Sequence, residues 1–270
     1  VADRLAVHAV GMLGAPLSDY DAAWQDLGLT RLSLIDAQLE DPALGPLVAR
    51  RGYVVDTVYH LFGGGSLPRT PRAAAAARAA LNDVVDAAAL LGARCVYMLT
   101  GGRGNMTWEQ AAEAFAAAVA PCRERAADAG VALAIENASA LYADLHIAHT
   151  LRDTATLADL AGLDVCIDLF HCWAEAGVTD LIENLLPRTQ SVQLSDYVLG
   201  DRALPARAVP GDGAIPIEPL VATVLAGGYR HGFDLELIGP RIDAEGTLPA
   251  ARRARDAVAA MLERAGEDGR

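Results

Sequence analysis

The chain has 270 residues, 53% of them hydrophobic, with 22 basic and 35 acidic side chains and a formal net charge of −13. That length and apolar content suit one large core, and the charge repels a phosphate backbone, which argues against a nucleic-acid partner. All 22 basic residues are arginine, and without a lysine amine there is no Schiff-base or pyridoxal-phosphate chemistry.

In chain order, apolar runs at 5–10 and 31–36 read as the first two strands, with a helix between them introduced by Ser18 and Asp19. A third strand at 53–59 leads into a glycine-rich segment at 60–65, after which Thr70 and Pro71 open a long alanine-rich helix closed by Gly92. The fourth strand, 94–100, is followed by Gly101-Gly102-Arg103-Gly104-Asn105 and by a helix that Thr107 opens and Gly130 ends. Strands at 131–136, 164–168, 190–195 and 232–237 complete eight alternations. Eight βα units across 1–265 predict a single-domain α/β fold, a closed (β/α)8 TIM barrel, with 266–270 as a frayed C-terminus. The rival, a doubly wound open sheet, lacks its GxGxxG after the first strand. No apolar run approaches the ~20 residues of a bilayer span, and the first residues read as a strand rather than a signal peptide, so a soluble, cytoplasmic protein is expected, with no membrane partner.

Both glycine-rich segments fall on the face that carries active sites in such barrels. They serve either as anion cradles or as plain turns, with His60 and Arg103 the residues expected to touch a ligand. Cys95, Cys122, Cys166 and Cys172 show no CxxC spacing and read as reduced, apolar fillers.

Four of the later apolar runs end in side chains that can hold a divalent cation: Glu136, Asp168, Gln193 and Glu236. Strand ends converge in a closed barrel, and an all-oxygen set favours Mn²⁺, with Mg²⁺ the second choice, over Zn²⁺. Three carboxylates brought together would repel one another unless a cation or raised pKa values relieved them.

These residues sit in motifs that resemble a known superfamily. Ile135-Glu136-Asn137, Asp168 with His171 three positions on, Val192-Gln193-Leu194-Ser195-Asp196, Pro210-Gly211-Asp212-Gly213 and Leu235-Glu236-Leu237 are similar to the successive motifs of the xylose-isomerase-like TIM barrels, which include sugar (phosphate) isomerases and epimerases. The resemblance spans nearly the whole chain. It implies that Glu136, Asp168, Gln193 and Glu236 hold one divalent metal, commonly Mn²⁺, and that His171 contacts substrate oxygens. It also implies a small-molecule substrate, and a possible homo-oligomer, since barrels of this group often pair or form tetramers.

Gln193 departs from the usual pattern, in which sugar epimerases carry a histidine. Metal-dependent 3-dehydroshikimate dehydratases of the same superfamily resemble the chain in having glutamine there. Xylose isomerase itself is disfavoured by the missing lysine, and the superfamily's endonucleases by the shortage of histidines.

The leading expectation is an isomerase or epimerase of a small polyhydroxylated ketone. The metal acts as Lewis acid, and Glu136 and Glu236, on opposite faces of the substrate, exchange a proton through an enediolate. Two alternatives remain: a lyase of the dehydratase type, its general acid supplied by His146, His149 or His171, and a non-catalytic metal-binding partner subunit. His146 is a further candidate for substrate contact. Arg207 resembles a substrate-facing arginine of the family, Arg202 competes for that role, and Asp196 is expected to bind substrate or support the site.

Overall fold

A computed structural model describes residues 2–268. Seven strands, β1 (Leu5–Val7), β2 (Arg31–Ile35), β3 (Val54–Leu61), β4 (Cys95–Leu99), β5 (Ala132–Glu136), β6 (Asp164–Asp168) and β7 (Thr189–Leu194), run parallel. Two-residue strands β8 (Asp196–Tyr197) and β9 (Arg207–Ala208) pair antiparallel outside the main sheet, and β10 (Phe233–Leu235) inserts between β7 and β1. The resulting order, β1-β10-β7-β6-β5-β4-β3-β2, comes round on itself through a parallel bridge between His8 and Ser33. That bridge closes an eight-stranded (β/α)8 barrel.

The helices, in order, are α1 (Leu17–Asp26), α2 (Leu44–Arg51), α3 (Pro71–Leu90), α4 (Trp108–Asp128), α5 (Leu151–Ala161), α6 (Leu169–Cys172), α7 (Val178–Leu185), α8 (Ile217–Ala226), α9 (Pro240–Glu245) and α10 (Thr247–Asp268). None among the described residues is long and apolar enough to cross a membrane. Thr70 caps α3 by accepting the Ala73 amide, and Thr107 and Gln110 form a reciprocal capping box on α4. Ser18 and Asp19 instead lie inside α1, which starts after Pro16 with no side-chain cap. α10 continues to Asp268, three residues into the segment expected to fray, and positions 269–270 lie outside the described residues.

Each barrel strand is buried on both faces, which is why it reads as a nearly continuous apolar run. Outward residues such as Leu34, Val58, Met98, Ile135, Ile167 and Leu194 pack under the helices. Inward ones are small or polar: Cys95, Tyr97, Ala134 and Cys166 form a separate cluster in the lumen. All four cysteines are buried and unpaired, as the filler reading expects.

β1 and β3 deviate from the expected bounds for local reasons, and β10 is shorter than the expected 232–237. β1 stops at Val7, not residue 10, because the His8 ring accepts the Val10 amide at 3.0 Å and turns Ala9–Met12 into a 3-10 helix. β3 runs on to Leu61, so His60 lies within a strand rather than in the loop.

At the N-terminal end of the barrel, pairing steps past one residue in β3 and one in β7, leaving Asp56 and Gln190 out of register. Both are gathered by Arg94, which bonds Asp56 at 3.0 Å and also the side chain and backbone of Gln190. The bulges thereby make a polar plug under the lumen.

Candidate active site

The site is built at the opposite end. β5 and β6 terminate in Glu136 and Asp168, and the side chain of Asn137 prolongs their pairing: its amide donates to the Asp168 carbonyl and accepts the Asp168 N–H, both at 2.9 Å. Asp168 then caps α6 through the Phe170 amide at 2.9 Å, and that single turn brings His171 back over the strand ends. Glu136, Asp168 and His171 each offer a ligand atom, all within 4.8 Å of one another. Ligands bound at ~2–2.5 Å to one hard cation lie at such mutual distances. Glu236 follows directly on β10, its amide held by the Leu194 carbonyl at 3.2 Å.

The β8–β9 pair delivers Arg207 to the same spot. Its guanidinium is buried and donates to Asp168 at 2.6 Å, Glu236 at 2.9 Å, Ser195 at 2.9 Å and the Nε2 of His171 at 3.2 Å, and it stacks on Phe170 at 4.6 Å. Asp196 organises this delivery rather than facing the cavity. Its carboxylate accepts four backbone amides, from Tyr197, Gly211, Gly213 and Ile215, which fold the 210–215 loop around it.

Burial pushes Glu136 well above the ordinary carboxyl range, with repulsion from Glu236 and Asp168 adding to it. Burial likewise lifts Glu236 to about 7, although Arg207 opposes the shift. His171 falls to about 4, chiefly by burial. Since Nε2 of that ring accepts from Arg207, the neutral ring carries its proton on Nδ1, which meets no acceptor among the described residues.

Gln193 reaches the cluster in an unexpected orientation. Its amide nitrogen donates to Glu236 at 3.0 Å and to Tyr97 at 3.1 Å, while its carbonyl accepts the Cys166 thiol in the lumen at 3.4 Å. Holding a cation would require that amide to turn over, so the directly presented set is Glu136, Asp168 and His171, with Glu236 alongside. The oxygen-rich, buried and mutually repelling donors fit a divalent cation.

A cavity of about 170 Å³ opens on this cluster, lined by Glu136, His171, Arg207 and Glu236 together with His8, Tyr59, Tyr97 and Tyr142. These last four were not foreseen. The His8 Nδ1 accepts the Val10 amide, so its Nε2–H donates to the Tyr97 hydroxyl, which also accepts from Gln193. With both lone pairs taken, the Tyr97 O–H is left to point its own proton at the cavity. Tyr97 shares the inward face of β4 with Cys95, a parity that only the closed barrel reveals.

Other expected contacts lie elsewhere. His146 is fully buried, neither on a surface helix nor at the cavity: Nδ1 accepts the Thr100 amide at 3.0 Å and Nε2 donates to the Glu136 carbonyl at 2.8 Å, leaving no nitrogen for a substrate. His60 points out of the lumen and pairs with Asp36 at 2.7 Å. Arg103 is exposed and bonds the Met106 carbonyl at 3.3 Å. The glycine-rich loops bond to each other and to the 140s segment: Gly102 N–H to Gly65, Leu67 N–H to Gly102 and Gly101 N–H to Leu145. A Cβ on Gly102 would lie 2.1 Å from the Asp144 carbonyl oxygen. Close backbone approach, not anion binding, accounts for glycine there.

A sequence profile for the family described as Xylose isomerase-like TIM barrel matches residues 11–264. No curated protein sequence matches the chain. Among solved structures, L-ribulose 3-epimerase superposes with a TM-score of 0.80 at 20% identity, covering 98% of this chain and 96% of its own. The IolI protein, solved with a bound zinc atom, gives 0.80 at 14% identity, covering 97% and 98%. The 3-keto-D-glucoside 4-epimerase YcjR from E. coli gives 0.74 at 12% identity, covering 96% and 99%.

Proposed function

The chain belongs to the xylose isomerase-like TIM barrel family, and on that premise we propose that it is a divalent-metal-dependent isomerase or epimerase of a small polyhydroxylated ketone. The observation that carries this reading is the pair Glu136 and Glu236, both buried, both lining one cavity and both raised in pKa. Two carboxyls facing one cavity can act on the same substrate, one as general base and the other as general acid. The epimerases among the structural neighbours support a sugar as the substrate class.

Glu136, Asp168 and Glu236 are the proposed metal ligands, with a turned Gln193 completing the set. A bound divalent cation supplies Lewis acidity to the oxygens of an α-hydroxyketone and acidifies the C–H between them. Mn²⁺ is the proposed ion, because carboxylates dominate the donors. The protein's own residues do the rest. One glutamate takes the C–H proton and the other, protonated, delivers its own proton to the opposite face of the enediolate, while Arg207 and the Nδ1–H of His171 hold substrate oxygens. The hydroxyl of Tyr97 offers a further donor, and its pKa, raised by burial, keeps it protonated. A lyase is less well supported, since His146, one of the three acids it called on, has both nitrogens bonded to backbone groups. Four buried, unpaired thiols suit a reducing, cytoplasmic setting.

Incubation of D-fructose, D-tagatose, D-psicose and L-ribulose in D₂O with Mn²⁺ tests the reading. Deuterium should enter at the carbon next to the carbonyl of at least one of them. Glu136→Gln and Glu236→Gln should each lower that exchange by about 10²–10⁴-fold. Full exchange in either variant would remove that glutamate from its role.

A further inference from the structure

A second cavity, of about 250 Å³, opens beside the first and shares Tyr142 and His171 with it. Only 5% of the chain is aromatic, yet four partly exposed rings, Tyr142, Phe170, Trp173 and Tyr197, wall this one space. The rings form one continuous wall: the Trp173 and Tyr197 centroids are 6.5 Å apart and those of Phe170 and Tyr197 6.2 Å, the spacing of aromatic rings in contact. Ordinary core packing would have buried these rings, whereas here each keeps a face or an edge toward the opening.

The rim is equally specific. Arg202 lines the cavity, is exposed, and its guanidinium makes no hydrogen bond or ion pair among the described residues. Tyr197 is fixed by a 2.8 Å bond to the Asp201 carbonyl, which sets its ring as a rigid wall. Flat apolar faces beside an unspent fork of N–H donors are the combination that takes a sugar ring, C–H face against aromatic and hydroxyls to the arginine.

The inner cavity, at about 170 Å³, is small for a larger ligand. With the outer one it reaches the roughly 300–1,000 Å³ over which most ligand pockets fall. We propose that the substrate carries a second ring, a glycosyl substituent on the ketose, and that this ring lies in the outer cavity against the wall formed by Trp173 and Tyr197 while the reacting carbons lie against Glu136 and Glu236. The proposal rests on the ketose isomerase reading for the inner ring only. Tyr142 and His171, common to both spaces, mark where the linkage would pass.

The test compares D-fructose with four glucosyl-fructoses that keep a ketose half and differ only in linkage: turanose, maltulose, leucrose and isomaltulose. Dissociation constants are measured by titration calorimetry and saturation-transfer NMR on the Mn²⁺-loaded protein. At least one disaccharide should bind about 10-fold tighter than fructose, a margin of about 1.4 kcal/mol. Trp173→Ala should bring that ratio close to one, and Trp173→Phe, which keeps a ring, should restore part of it. A ratio near one for all four disaccharides in the wild type overturns the proposal. So does a high ratio that Trp173→Ala leaves in place, and so does a wild-type dimer that Trp173→Ala splits while the ratio stays at one, which would make the cavity a subunit contact. Deuterium exchange run in parallel separates the two claims: exchange into fructose without a disaccharide preference sinks only the second ring, and a binding preference without exchange in any ketose sinks only the isomerase.

Discussion

Arg207 is the residue on which most of the site's electrostatics turns. It sets one fixed positive charge against Asp168 and Glu236, and a divalent cation would compete for the same oxygens. Removing a single partner from a buried ion pair typically costs about 3–5 kcal/mol, because the acids left behind have lost both water and counter-charge. Arg207→Met should therefore lose stability of that order in chelator, and Mn²⁺ should restore more to the variant than it adds to the wild type; urea unfolding with and without metal checks this. Equal metal gains in the two proteins would show that Arg207 and the cation do not share oxygens. The acids Glu136, Asp168 and Glu236 were legible in sequence because an ionisable group ending an apolar strand is conspicuous, and Arg207 because of its motif. Gln193 was legible as a member of the site but not in its orientation, which depends on Cys166, Tyr97 and Glu236 arriving from other strands. His8 and Tyr97 were not legible as cavity residues, since which parity of a strand faces inward is decided only when the barrel closes.

Between elements, two polar side chains act as clips. His146 ties the end of β4 to the end of β5, and it does so only as a neutral ring. Burial lowers it from 6.5 to about 3. The unfolded chain therefore binds a proton below 6.5 that the folded chain refuses, and stability is lost as pH falls from 6.5 toward 3, with a slope of at most about 1.4 kcal/mol per unit from this one group. His146→Gln should be less stable at neutral pH yet show a shallower loss between pH 6.5 and about 4 in urea titrations; an unchanged slope would place the acid sensitivity elsewhere. At the other end of the barrel, Arg94 clips the two bulges together through Asp56 and Gln190. Arg94→Met leaves Asp56 only its longer 3.6 Å pair with Arg31 and should cost about 1.5–3 kcal/mol. Arg125→Met, which breaks an exposed, solvent-screened pair with Asp86 on the helix surface, should cost far less. The contrast is readable in chemical denaturation of the two variants, and equal costs would mean that the plug carries no special weight. Neither clip could be read from the chain, because a bulge in a parallel strand leaves no signature in a run of apolar residues.

For the whole molecule, the eight-fold alternation was plain in the sequence because every barrel strand is covered on both sides and the long helices α3 and α4 begin at threonine caps. Strand ends were not, since His8 and the register shifts are set by neighbours distant in sequence. A closed barrel with its acids gathered at one rim also couples folding to metal. At about a hundred times its dissociation constant, a cation that binds only the folded chain adds about 2.7 kcal/mol. For a chain of this size that should raise the melting temperature by about 5 °C in Mn²⁺ over chelator; no shift would remove the cation from the site. The four enclosed thiols give the barrel a built-in clock for such experiments. Cys95 and Cys166 sit in the lumen, while Cys172 lies on the turn that carries His171. A thiol reagent should label Cys172 when the rim alone opens, and the lumen pair only when strands part. With no lysine in the chain, no side-chain amine competes for the reagent, so the order of labelling reads breathing of the site separately from loss of the barrel.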